Sequence, residues 1–191
     1  MRHIAFAALY TALALLANGA AAQDPAQDFG QTVEGLRTGD MRKLIVHGAP
    51  IDGSARAFTS ADGSQMSLTA FEGQWVLLNF WATWCAPCRI EMPQLSELQT
   101  DYGGDRFSVV TIATGRNQPQ AMQAFFDEIG VTNLPLHTDP RQELARDFGV
   151  LGLPVTVILN PEGQEVARLQ GEAAWAAPEA RAVIEAMLAG D

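Results

Sequence analysis

Cys85 and Cys88 are the only cysteines in this chain of 191 residues, separated by Ala86 and Pro87. Closing so small a loop constrains an unfolded chain far less than a long-range bridge does. The pair is therefore poorly placed for stability and well placed for chemistry. A thiolate at a helix N-terminus faces unsatisfied main-chain N–H groups and partial positive charge, so its pKa falls below that of free cysteine. Three positions along a helix bring two side chains to one face, and close approach permits a reversible disulfide. Pro87 suits the first turn of such a helix. The chemistry this points to is two-electron thiol exchange. Cys85 attacks a partner disulfide, and Cys88 resolves the mixed disulfide. A zinc site needs about four ligands, whereas His3 lies in the N-terminal apolar segment and His47 and His137 have no ligand spacing. A cysteine protease would need a positioned histidine and has no use for a second thiol.

Periodicity says which elements must hold the pair. Trp75 to Trp81 is an almost unbroken apolar run, suited to a strand buried on both faces. After the cysteines, Met92, Leu95, Leu98 and Tyr102 recur at helical spacing. The helix is predicted over about 86–102, with Pro93 removing one donor and kinking it, and Gly103-Gly104 stopping it. Further strands are predicted at 107–112, 155–159 and 165–169, with a short extended piece at 134–137. Helices are predicted at 118–129, 142–148 and 178–188. A small hairpin over 57–68 turns at Asp62-Gly63, and a helical turn follows near Ser67 to Phe71. The order β-β-β-α-β-α-β-α-β-β-α implies an α/β fold whose central mixed sheet is covered by helices on both faces.

The ends read differently. Ile4 to Ala17 is apolar behind Arg2 and His3, and Ala20-Ala21-Ala22 offers a small-residue cleavage site. Residues 1–22 have the pattern of a secretory signal peptide, with an uncleaved signal anchor as the alternative. Residues 23–46 are expected to be an N-terminal extension or linker. Within it Phe29, Val33 and Leu36 line one side of a short helix ending near Gly39. The compact domain is expected over 47–191. Formal net charge is −10 and Lys43 is the one lysine, which disfavours nucleic acid as a partner.

The run from Val76 to Pro93, with Trp84-Cys85-Ala86-Pro87-Cys88 at its centre, resembles the TlpA/ResA-like thiol-disulfide oxidoreductases of the thioredoxin superfamily. The likeness continues at Gly149-Val150-Leu151-Gly152-Leu153-Pro154-Val155-Thr156 and at Asn160-Pro161-Glu162-Gly163. It covers roughly His47 to the C-terminus. It implies a thioredoxin-like fold with an N-terminal β-hairpin and an extra αβ insertion, here Gly115 to Arg146. It implies Cys85, Cys88 and Glu91 as catalytic residues, with Cys85–Cys88 the redox disulfide. Glu91 would tune a cysteine pKa or relay a proton. Trp84, Ala86, Pro87, Leu153 and Pro154 would contact substrate, Pro154 through a cis bond that leaves Leu153 open to a substrate strand. Where thioredoxin has a buried aspartate this chain has Asn79, which cannot serve as a base.

The resemblance also implies an exported, monomeric enzyme without cofactor or metal, located in the periplasm or anchored in the inner membrane facing it. It would reduce disulfides of periplasmic proteins, either apocytochrome c or the copper-site cysteines of oxidase subunits and their chaperones. Its electrons would come from a membrane thiol reductant of the DsbD/CcdA type. The cytochrome-maturation members called CcmG carry a tyrosine and a glutamate where this chain has Leu151 and Val155, so TlpA-like substrates fit better. Three alternatives stand beside this: a disulfide-forming oxidase of the same fold, a peroxidase, and a binding or chaperone module with incidental cysteines. The peroxidase would want a Thr/Ser-x-x-Cys nucleophile, and Thr83 is one position too close to Cys85.

Overall fold

A computed structural model describes residues 25–189, so the expected signal peptide lies outside the described residues. Eight strands form one mixed sheet. They are β1 (Ile45–Ile51), β2 (Phe58–Thr59), β3 (Gln65–Met66), β4 (Trp75–Trp81), β5 (Phe107–Thr114), β6 (His137–Asp139), β7 (Val155–Leu159) and β8 (Glu165–Gln170). The helices are α1 (Pro25–Glu34), α2 (Ala86–Tyr102), α3 (Pro119–Ile129), α4 (Glu143–Asp147) and α5 (Pro178–Ala189). The sheet order is β1-β8-β7-β4-β5-β6-β2-β3. β4 is central, parallel to β5 and antiparallel to β7. Every residue of β4 is buried, as its unbroken apolar run requires.

Alternation along β4 feeds two cores. Trp75, Leu77 and Trp81 point into a large one with α1, α2, α3 and α5. Val76, Leu78 and Phe80 point into a smaller one closed by Leu144, Ala145 and Phe148 at α4, by Phe58 and by Leu68 of a 3-10 turn over Leu68–Phe71. Both faces are covered, but unequally. The thioredoxin-like layering, the β2–β3 hairpin and the inserted α3–β6–α4 segment all appear. α2 runs through Pro93 without interruption. Asp139 holds the start of α4, its carboxylate accepting from the N–H groups of Glu143 and Ala145 at 2.9 Å each.

Residues 29–46 of the expected extension pack against the rest of the chain. The helix among them ends at Glu34, short of Gly39, and a 3-10 turn follows over Gly39–Lys43. Phe29, Val33, Met41 and Leu44 are buried in the larger core, with the Phe29 ring 5.4 Å from that of Trp75. The boundary expected at residue 47 falls inside β1, an edge strand paired antiparallel with β8 through an irregular register. Burial along β1 does not alternate and it contains Gly48 and Pro50, so it has no strand signature in sequence.

Candidate active site

β4 and β5 run parallel, and the crevice at their carboxyl ends is where an α/β sheet places ligands. The turn after Trp81 delivers Cys85 to the N-cap of α2. Cys85 and Cys88 are disulfide-bonded, Cα to Cα 5.3 Å, and both are almost fully buried. The Cys88 N–H donates to Cys85 Sγ at 3.3 Å. The sulfur thus accepts one of the N–H groups the helix leaves unsatisfied, and a thiolate there would gain both that bond and the dipole. Pro87 stands in the first turn, where its missing donor costs nothing. Ala86 is exposed beside it.

The turn is held from across the sheet. Asn117, in the loop after β5, accepts through Oδ1 from the Thr83 N–H at 2.8 Å and from Thr83 Oγ1 at 3.0 Å. Its own amide donates to the Thr114 carbonyl at 3.0 Å. Asn117 was not singled out in the sequence. Its position after a parallel strand beside the cysteine strand is the signal that points to it.

Glu91 is fully buried, one turn beyond Cys88 on the same helix. Its Oε1 accepts from the Ala173 N–H at 2.7 Å and from the Trp175 indole N–H at 3.0 Å. Burial pushes its carboxyl from an ordinary 4.5 up to about 7, against the opposing hydrogen bonds from Ala173 and Trp175. Oε2 has no partner, and neither has the buried Oδ1 of Asn79, whose Nδ2 donates to Thr156 Oγ1 at 2.9 Å. A proton on Oε2 would supply the one donor that two neighbouring acceptors lack. Asn79 is thus no base, but it is part of the pocket that holds Glu91. Trp175 is a second residue the sequence reading missed, a lone tryptophan outside any periodic segment.

Pro154 is buried and follows a cis Leu153–Pro154 bond. No main-chain hydrogen bond engages Leu153 among the described residues, so its N–H and C=O are open to an extended chain. Leu153 and Trp84 line one groove of about 360 Å³, and Trp84 is 65% exposed. The structure therefore brings Trp84 and Leu153 together beside the disulfide and sets Glu91 beneath it, sealed from solvent. A larger hollow of about 750 Å³ lies elsewhere, lined by Arg56, Asp147, Glu165 and Arg168 and by none of the expected site residues. Its charges are satisfied by one another: Arg168 meets Glu165 through two nitrogens at 2.5 Å, and His47 Nε2 lies 2.6 Å from the same carboxylate.

Comparison with known proteins agrees with this geometry. The model of the AhpC/TSA family matches residues 51–167. The chain is 38% identical over 103 residues to the thioredoxin-like protein YneN of Bacillus subtilis, covering 53% of this chain and 59% of YneN. It is 34% identical over 106 residues to the thiol-disulfide oxidoreductase ResA of Halalkalibacterium halodurans, covering 55% and 58% respectively. The matches thus span about three fifths of these relatives. Among solved structures, a secreted thiol-disulfide isomerase from Corynebacterium glutamicum superposes with a TM-score of 0.63 at 25% identity, covering 78% of this chain and 91% of that one.

Proposed function

From the chain's membership of the AhpC/TSA family, to which its residues 51–167 assign it, we propose that it is a thiol-disulfide oxidoreductase that reduces disulfides in exported proteins. The observation that carries this is the N-capping sulfur: Cys85 accepts a helix N–H and is already paired with its resolver. In the reduced protein the Cys85 thiolate attacks one sulfur of a substrate disulfide. A mixed disulfide forms and one substrate thiolate leaves, taking a proton. Cys88 loses its proton and attacks Cys85 Sγ. The internal disulfide closes and the second substrate thiol departs, so two electrons have passed to the substrate. The oxidised state must then be reduced by an outside dithiol, for which a membrane thiol reductant of the DsbD/CcdA type is the proposed donor. Glu91, its carboxyl pushed up to about 7 by burial, can hold or release a proton near neutral pH one turn from Cys88.

The proposed location is the periplasm, reached with the signal read in residues 1–22. The relatives named for thiol-disulfide chemistry and the secreted isomerase support that reading. Among the described residues no helix is long and apolar enough to cross a membrane. The proposed substrates are apocytochrome c or copper-site proteins of oxidase assembly. Cys88→Ser removes the resolving thiol, so mixed disulfides through Cys85 should accumulate with exported proteins and disappear in the Cys85→Ser, Cys88→Ser double variant. A substrate-rich extract that yields no such adduct would refute exchange chemistry and favour the binding-module reading. An equilibrium with glutathione showing a strongly oxidising pair would reverse the direction of electron flow.

A further inference from the structure

Five large apolar side chains are exposed among the described residues; of these, Trp84 directly precedes Cys85, Ile90 lies two residues after Cys88, and Leu151 shares a groove with Trp84. Leu151 is 100% exposed. Trp84 and Leu151 share the groove of about 360 Å³, with Val150, Leu153 and Ala145 completing its apolar wall. A side chain that a chain in water leaves fully exposed next to a reactive centre is a contact surface in waiting.

The groove also has a charge, and it is a cation. Arg146 is the one charged residue lining it, in a protein whose formal net charge is −10. Nearby carboxylates are taken by other cations. Asp147 accepts from Arg56 at 2.8 Å and from Ser54 at 2.6 Å. Glu143 lies 3.2 Å from Arg141 and 3.9 Å from Arg56. On the other side of the disulfide, Arg89 sits 3.9 Å over the Phe125 ring and 3.4 Å from Glu128. Arg146 is left with no ion pair and no side-chain hydrogen bond among the described residues. Two further features mark the groove as built for a ligand. Thr114 lines it with a buried hydroxyl that has no partner. Gln142 lines it from a left-handed backbone conformation, φ 56°, the one such non-glycine residue among those described.

Resting on the thiol-exchange reading, we propose that this groove selects the substrate: an extended segment whose reducible cysteine is flanked by a bulky apolar residue and an acidic one. The apolar side chain packs between Trp84 and Leu151, and the carboxylate meets Arg146. Main-chain pairing at Leu153 gives register without sequence preference, so the groove supplies the discrimination. A basic residue at the acidic position places like charges together and is rejected.

The test uses the reduced full-length protein and three short peptides, each with one internal disulfide. One is flanked by Leu-Glu, one by Leu-Lys and one by Ser-Glu. Reduction of the Leu-Glu peptide should exceed that of the Leu-Lys peptide by about fivefold in kcat/KM at low salt, the scale of one partly exposed charge pair. The gap should narrow at high salt. Ser-Glu should fall below Leu-Glu. Arg146→Glu should invert the Glu-to-Lys ratio, while Arg42→Glu, the same charge change outside the groove, should leave it in place. Equal rates for the Glu and Lys peptides, or a ratio unmoved by Arg146→Glu, would overturn the proposal and leave thiol exchange standing. Failure to reduce any peptide or glutathione disulfide would remove both. A dimer that buries Trp84 and Leu151 at assay concentration would also overturn it, because the groove would then belong to a second copy of the chain.

Discussion

Replacing Glu91 by Gln should make the oxidised protein more stable at neutral and alkaline pH and no more stable in acid. The carboxyl is held at about 7 against an ordinary 4.5, chiefly by burial. Each pKa unit corresponds to about 1.4 kcal/mol. Ionised Glu91 is therefore disfavoured in the folded protein by ~3 kcal/mol relative to the unfolded chain. The sign follows from proton counting. Between 4.5 and about 7 the folded state binds a proton that the unfolded state has lost. The stability tied to this group is fully present below 4.5, declines as pH rises through the window and is gone above 7. Glutamine carries no charge at any of these pH values. Its oxygen can still accept from Ala173 and Trp175, and its amide can donate towards the partnerless Oδ1 of Asn79.

Urea unfolding followed by far-UV circular dichroism at pH 4.5, 6, 7 and 8, with linear extrapolation, measures the effect. The two proteins should be about equal at the acid end. Glu91→Gln should lead by roughly 2–3 kcal/mol at pH 8. Other carboxylates do not interfere. Those with lowered pKa values, such as Asp62 at about 2 and Asp147, titrate below this window, and both proteins contain them. A difference that stays flat from pH 4.5 to 8, or grows in the acid direction, would show that Glu91 is ionised in the fold and would refute the reasoning.

Two further outcomes test the scaffold around the cysteines. Met41→Ala should cost about 2–5 kcal/mol, because Met41 is fully buried in the main core. Chemical denaturation reads this directly, and an unchanged midpoint would mean that residues 25–46 are a detachable tether. Asn117→Ala should cost about 1–3 kcal/mol by leaving the part-buried Thr83 N–H without a partner. It should also slow exchange with protein disulfides, whereas Asn117→Asp, which keeps the accepting oxygen, should recover much of both. Equal exchange rates for all three proteins would deny Asn117 any part in positioning the turn.

The strand and helix that present Cys85 and Cys88 were legible because their own residues state their burial. β4 is apolar throughout, and α2 repeats its apolar residues with the helical period. The turn at Asn160 to Gly163 and the strands β7 and β8 were legible for the same local reasons. What was not legible depends on distant partners. Glu91 was singled out through the family resemblance alone; by its own position it reads as one more polar residue on a helix, and its burial is imposed by Ala173 and Trp175, 82 and 84 residues away. Arg146 reads as one more arginine, and it has no ion pair among the described residues because Asp147 is engaged by Arg56 from a distant segment and Glu143 by its neighbour Arg141 and by Arg56. β1 shows no alternation: it is an edge strand whose register with β8 is irregular, and Gly48 and Pro50 interrupt its residues.

The N-terminal segment and the buried carboxyl are two ends of one arrangement. The stretch after β8 that covers Glu91 is held on three sides. Gln94 accepts from the Ala176 N–H at 3.1 Å, Asp40 accepts from the Ala174 N–H at 3.0 Å, and Lys43 donates to the Glu172 carbonyl at 2.9 Å. Asp40 and Lys43 belong to the 3-10 turn that Met41 anchors in the core. Residues of the expected N-terminal extension or linker thus fix the backbone that donates to Glu91. Loosening that turn would admit water to the carboxyl, lower its pKa towards the ordinary value and weaken the proton store beside Cys88. The helix, the 3-10 turn and Trp175 together keep Glu91 dry, and the proposed part of Glu91 in the chemistry of the cysteines rests on that burial.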